Sequence, residues 1–210
     1  MMIPLGFDEV GRGPWAGPVV ACCAYFTDDL VRMDFIELLN NSKNNTKNTI
    51  KDSKALSAKQ REKAYDMIEK NPNIIWSIGF ATPEEIDQIN ILQATFLAMH
   101  RAYQAIKKPE KPYEIWIDGS NSPKWKLNIP IHALIKGDQK MVEISVASIC
   151  AKKVRDQIMS TIGEEYPQYH WKDNSGYGTK SHQEALKEFG ITQHHRKSFK
   201  PIRKIIEQET

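Results

Sequence analysis

The chain has 210 residues, of which 40% are apolar and 26% charged. That is enough apolar content to bury a full core without disulfide or metal staples, and it excludes disorder as the main state. With 29 Lys and Arg against 26 Asp and Glu, the net charge of +3 identifies no partner, so the distribution of charge carries the information.

The N-terminal residues have no basic segment and meet an acid at Asp8, which argues against a signal peptide. Ile3 to Asp8 reads as a strand, Gly11-Arg12-Gly13-Pro14 as a turn, and Val19 to Phe26 as a second strand rich in β-branched and aromatic residues. The uncharged run from Pro14 to Phe26 is too short and too rich in Gly and Pro to span a bilayer, so no membrane association is expected. Cys22, Cys23 and Cys150 lie in apolar runs, with no Cys-x-x-Cys spacing and no paired His. They read as core residues in a reducing, cytoplasmic compartment. From Arg32 to Lys51 the composition shifts, and the Asn/Lys-rich stretch 40–51 reads as a surface insertion, not a domain boundary.

Ser57-x-x-Gln60 is a capping box for a helix to about Glu69, and Asn73 to Phe80 reads as a strand. Thr82-Pro83-Glu84-Glu85 sets an N-cap, a first-turn proline and a capping acid in register. Behind it, Ile86, Ile89, Gln93, Phe96, Met99, Tyr103 and Ile106 recur at helical spacing and predict a buried stripe. Tyr113 to Asp118 and Ile131 to Lys136 read as strands. A helix from about Lys140 places Val142, Val146, Ile149, Val154 and Ile158 on one face, and Ser181-x-x-Glu184 opens a short helix that ends at Gly190. These elements predict an α/β fold on one domain, residues 1–210: a mixed central sheet flanked by helices, with a C-terminal helical extension over about 165–210.

Four acids stand at the ends of apolar strand candidates: Asp8 and Glu9 after Ile3–Phe7, Asp118 after Ile115-Trp116-Ile117, and Asp138 after Leu134–Gly137. A carboxylate behind a buried strand destabilises the fold unless something neutralises it. Clustered acids repel, so such sites hold shared protons or hard cations, and an all-oxygen set suits Mg²⁺ or Mn²⁺. Two such ions suit phosphodiester hydrolysis. Each acid alone has an ordinary explanation as a turn former, and Asp138 precedes a helix that it could cap. Adjacent Asp8 and Glu9 point to opposite faces of a regular strand, so sharing a site requires the strand to end there.

Gly6-Phe7-Asp8-Glu9-Val10-Gly11-Arg12-Gly13-Pro14-Trp15-Ala16-Gly17-Pro18 resembles the opening signature of ribonuclease HII. The resemblance continues through Asp52–Ser57, Ile86–Thr95, Ile117-Asp118-Gly119, Lys136-Gly137-Asp138, Val146–Asp156, Gly176–His182 and His195–Phe199, in family order over nearly the whole chain. It implies an RNase H-like fold and endonucleolytic cleavage of the RNA strand of RNA–DNA hybrids. It also implies incision 5′ to single ribonucleotides in duplex DNA, leaving 3′-hydroxyl and 5′-phosphate ends. The family's catalytic, metal-holding acids fall on Asp8, Glu9, Asp118 and Asp138, with two divalent ions, Mg²⁺ or Mn²⁺, in the active complex.

The family's Gly-Arg-Gly tripeptide falls on Gly11, Arg12 and Gly13, where close backbone approach to a ribose 2′-hydroxyl would exclude a Cβ. Its sugar-packing tyrosine falls on Tyr177, set between Gly176 and Gly178. Basic residues concentrate over 43–63 and 180–204, and Ser53, Lys54, His195, Arg196 and Lys200 are the expected phosphate contacts. Asp156 follows Lys152 and Lys153 at i+4 and i+3, which favours a structural ion pair. The partners expected are an RNA–DNA hybrid and a ribonucleotide-containing duplex, bound by a monomer; a replication clamp is left open. Two other readings compete. A ribonuclease HIII-type enzyme carries an extra N-terminal domain for which a motif at residue 8 leaves no room, and a catalytically silent hybrid-binding module would have lost acids that are all present.

Overall fold

The computed structural model describes residues 2–40 and 56–208; Ser53, Lys54 and the Asn/Lys-rich insertion after Asn40 lie outside them. The centre is a five-stranded mixed sheet in the order β3-β2-β1-β4-β5. The strands are β1 (Ile3–Val10), β2 (Val19–Phe26), β3 (Ile74–Ala81), β4 (Tyr113–Asp118) and β5 (Ile131–Leu134). The short turn after β1 returns β2 antiparallel, and β3 continues antiparallel. β4 and β5 instead join parallel on the other side of β1, after longer connections.

Side-chain alternation divides the core in two. Leu5 and Phe7 of β1, with Ala21, Cys23 and Tyr25 of β2, face α3 (Pro83–Ala105). Cys22, Ala24 and Phe26 face α1 (Asp29–Asn40), α2 (Ala58–Lys70) and α4 (Val142–Glu165). β2 is buried on both faces, so it reads as an unbroken apolar run, and all three cysteines are free and buried as expected.

Several local expectations need correction. α1 is a helix that the sequence reading leaves unassigned: Asp28 Oδ1 accepts the Leu30 and Val31 N–H groups at 2.7 and 3.2 Å, and Phe35 and Leu39 are buried one turn apart. α3 starts at its predicted Thr82–Glu85 capping box but is broken at Asn90, with φ 66° and ψ 163°. Asn90 Oδ1 then caps a new turn, accepting the Leu92 and Gln93 N–H groups at 3.0 and 3.1 Å. The break rotates the buried stripe onto Ala94, Thr95, Ala98, Met99, Ala102 and Tyr103, leaving Gln93 exposed. β5 stops at Leu134 because Lys136 is left-handed, with φ 56°. Along α4 the buried positions after Ala151 are Arg155, Met159 and Gly163, with Val154 and Ile158 only half-buried.

α5 (Trp171–Asn174), α6 (Lys180–Phe189) and α7 (Lys200–Gln208) complete the C-terminal segment. The cap of α6 is Thr179, two residues before the expected Ser181, and the helix ends at Gly190 with φ 71°. Trp171, Tyr169, Leu186 and Ile202 pack with Met159 and Ala16 into a third apolar cluster. This cluster fastens the C-terminal helices to α4 and to the loop after β1.

Candidate active site

The parallel register Phe7↔Ile117 sets Asp8 and Asp118 at the adjacent C-terminal ends of β1 and β4. Both lie on the α4 side of the sheet by alternation. Asp118 Oδ1 accepts the Gly137 N–H at 2.7 Å, which draws the turn carrying Asp138 against the strand end. Asp138 is buried in the short 3₁₀ turn Gly137–Gln139, and the N-cap of α4 is Met141, so the capping explanation of Asp138 fails. β1 does not end at Asp8, as sharing a site seemed to require; it runs to Val10, and Glu9 faces the α3 side. The reason it still borders the group is that β4 stops at Asp118. Glu9 and Asp118 line one cleft at that edge with Arg12, Thr95, Phe96 and Gly119. Glu9 Oε1 lies 3.2 Å from Arg12 Nη1.

Asp8 is the electrostatic centre. Its Oδ1 accepts the Glu9 N–H at 2.7 Å, while its Oδ2 is buried without a hydrogen-bond partner. Burial, then the charge of Glu9, raises its pKa well above the ordinary carboxylate value; the Ser148 hydroxyl opposes this and Asp118 adds to it. Among the described residues, no three His, Cys, Asp or Glu side chains converge tightly enough to form a metal cage alone. The donor set nonetheless fits a hard divalent cation. It is all oxygen, and one buried oxygen of Asp8 is unmatched. Mg²⁺-type ions use one or two carboxylates and complete their shells with water and substrate phosphate.

Beside the acids, the loop 11–18 runs over two buried arginines. Arg196 donates to the carbonyls of Gly11 (2.6 Å), Arg12 (3.1 Å) and Gly17 (2.9 Å). Arg155 donates to those of Pro18 (3.0 Å), Ser175 (3.0 Å) and Ala16 (3.2 Å). Gly11 has φ +90°, and a Cβ there would stand 2.1 Å from Arg155 Nε, so glycine is required by packing from within. At Gly13 a Cβ would meet only the Tyr177 ring, at 3.5 Å. Tyr177 is half exposed next to this tripeptide, as the sequence suggested. Trp15 and Ala16 donate to the Gly176 carbonyl, tying the two loops together.

The phosphate contacts expected at His195 and Arg196 are overturned, since both side chains are buried. His195 shares a 3.0 Å hydrogen bond with His182, and burial, then the charge of His182, lowers its pKa to about 3, so it is neutral. Lys200 is exposed at the start of α7 and remains available to a phosphate. Asp156 pairs with Lys152 at 2.5 Å, whereas Lys153 reaches Glu62 on α2 instead. Three contributors escaped the sequence reading. Arg155 is buried on α4 next to the predicted Val154, the Ser148 hydroxyl on the same helix acts on Asp8, and Asp87 accepts the Lys197 and Ser198 N–H groups at 2.9 and 2.8 Å. Only the resemblance blocks containing Arg155, Ser148 and Asp87 could have drawn attention to them.

Comparison with known proteins agrees with this layout. The family model described as Ribonuclease HII matches residues 5–202. A ribonuclease HII of Pelagibacter ubique is 46% identical over 202 residues, covering 96% of this chain and 98% of that protein. The crystal structure of ribonuclease H2 from Pyrococcus horikoshii superposes with a TM-score of 0.75 at 27% identity, covering 99% of this chain and 98% of that one. The crystal structure of a ribonuclease HIII in complex with Mn²⁺ shares the fold with a TM-score of 0.72 at 18% identity. It is covered over 99% of this chain but only 70% of its own. The two-sided sheet, the acids at its strand ends and the full-length match lead to one conclusion: this chain belongs to the ribonuclease HII family, endonucleolytic hydrolases that act on RNA–DNA hybrids.

Proposed function

We propose that this chain, as one catalytic unit, cleaves the RNA strand of hybrids and also incises 5′ to single ribonucleotides in duplex DNA, leaving 3′-hydroxyl and 5′-phosphate ends. Asp8, Glu9, Asp118 and Asp138 would hold two divalent ions, Mg²⁺ or Mn²⁺. The observation that carries this reading is the pairing of Asp8 and Asp118 at adjacent strand ends, with a buried and unmatched Asp8 oxygen. Such ions, when bound, supply an activated water and compensate charge on the departing oxygen.

The chain's own residues account for binding and orientation. Gly137 N–H holds the Asp118 carboxylate, so its second oxygen is directed by the turn. Burial makes Asp8 a poor anion until positive charge arrives, which couples its ionisation to binding of the cation. Arg12, exposed beside Glu9, can meet the scissile-strand backbone, and Tyr177 can pack on a sugar next to Gly13. Lys200 would add a phosphate contact further along the duplex.

The test is cleavage of a DNA duplex carrying one ribonucleotide, with Mg²⁺ or Mn²⁺, against EDTA and Asp8→Asn controls. Metal-dependent incision 5′ to the ribonucleotide is expected, with Asp8→Asn losing at least about 10³-fold in rate while melting no lower than the wild type. Cutting of long hybrids alone would refute the single-ribonucleotide reading. Tight binding without any cutting would instead favour the hybrid-binding module.

A further inference from the structure

Arg155 and Arg196 donate six hydrogen bonds, all to backbone carbonyls, five of them in the loop 11–18 and the sixth at Ser175. Two of those carbonyls, of Gly11 and Arg12, belong to the tripeptide beside the acids. In a trans peptide the carbonyl and the following N–H point in opposite directions. Drawing the Gly11 and Arg12 carbonyls inward to Arg196 therefore turns the Arg12 and Gly13 N–H groups outward. Neither N–H has an acceptor among the described residues. Two outward donors thus stand between the Glu9 cleft and the half-exposed Tyr177 ring. The two glycines flanking Arg12 give the tripeptide little stiffness of its own to keep that orientation. The planar guanidinium of Arg196 supplies it, because its N–H groups point in fixed, diverging directions to three separate carbonyls, whereas an ammonium is a compact point charge with freely rotating donors.

We propose that Arg196 is a positioning residue for ribose recognition: from inside the fold it aims the Arg12 and Gly13 N–H groups at the sugar-phosphate packed on Tyr177. The inference rests on the proposed single-ribonucleotide activity and extends it to a residue that touches no substrate. Arg155 acts on a different part of the loop, since its carbonyls belong to Ala16, Pro18 and Ser175. It anchors the loop without setting the two N–H groups.

Steady-state cleavage by Arg196→Lys and Arg155→Lys, on a single-ribonucleotide duplex and on a long hybrid, separates positioning from mere stability. Arg196→Lys is expected to lower kcat/KM on the single-ribonucleotide duplex about tenfold more than on the hybrid, chiefly through KM. A hybrid offers a 2′-hydroxyl at every step of its RNA strand, so loss of aim matters less there. Arg155→Lys is expected to lower the melting temperature without changing that ratio. A parallel loss on both substrates by Arg196→Lys, or no loss at all, overturns the proposal.

If Arg196→Lys does not fold, hydrogen exchange on the wild type decides. The Arg12 and Gly13 amides should exchange rapidly in the free protein and become protected on binding the uncut duplex in EDTA. Absence of protection overturns the proposal. A wild type that cuts hybrids but not the single-ribonucleotide duplex would sink the underlying reading alone. The exchange measurement, repeated with a long hybrid in EDTA, would then settle the role of Arg196.

Discussion

Buried polar side chains in this molecule fall into those satisfied internally and those left unmatched, and the distinction separates scaffold from site. His195 belongs to the first kind. Thr192 N–H donates to its Nδ1 at 2.9 Å, so its own proton sits on Nε2 and goes to His182 Nε2. His182 accordingly carries its proton on Nδ1 and donates to the Tyr177 carbonyl at 2.9 Å. Protonating either ring would set two N–H groups against each other. Burial lowers both pKa values, that of His195 to about 3. The unfolded chain takes up these protons near pH 6.5, so stability is complete above that value and is lost as pH falls from 6.5 towards 3. Thermal melts between pH 7.5 and 4.5 should show that decline, and His195→Gln should flatten it by up to about 1.4 kcal/mol per pH unit. An unchanged slope would show that His195 is not the titrating group. Asp8 is of the second kind, with its Oδ2 buried and without a hydrogen-bond partner among the described residues.

At the scale of elements, helix α3 shows how one side chain overrides a periodic pattern. Its two ends obey the sequence rules, but Asn90 interrupts them with a positive φ and a new cap. The apolar residues that the uninterrupted pattern would bury, such as Ile89, consequently turn towards solvent, and the small residues Ala94, Ala98 and Ala102 take the contact with the sheet. Small side chains there let the helix lie close on β3, where a Cβ on Gly79 would strike the Ala98 carbonyl at 2.2 Å. Asn90→Ala removes two capping bonds and leaves a side chain in the same strained backbone without them, so a loss of about 1–2 kcal/mol is expected. Asn90→Gly should lose less, because glycine accepts that backbone. Chemical denaturation of both variants checks the order, and equal losses would mean that the break is held by packing alone.

Over the whole molecule, the N-terminal loop and the C-terminal segment meet although they are far apart in sequence. Ala16 pairs with His195 across an isolated bridge, Arg196 N–H donates to the Trp15 carbonyl at 2.8 Å, and Gly17 N–H to that of His194 at 2.9 Å. The tripeptide beside the acids is therefore supported by residues from the other end of the chain. The modest net charge conceals an exposed cationic run over Lys197, Lys200, Arg203 and Lys204 on and before α7. Binding through such residues releases counterions, so affinity for a hybrid should fall steeply with salt. Lys200→Ala should reduce the slope of log K against log [salt] by about one without altering the site of cleavage. A slope equal to that of the wild type would remove Lys200 from the interface.

The order of strands and helices, the capping boxes at Ser57 and Thr82, the buried cysteines and the four strand-end acids are all written in short stretches of sequence. Each depends on neighbours a few residues away, through periodicity or a local hydrogen bond. The family resemblance added the assignments of those acids but not their surroundings. Whether Asp138 caps a helix, which side of the sheet Glu9 faces, and what His195 and Arg196 do depended on contacts between distant segments. Sequence shows Arg196 as one more cation in a basic run; only tertiary structure places it among three carbonyls, where burial removes it from the substrate surface and makes it part of the loop's foundation.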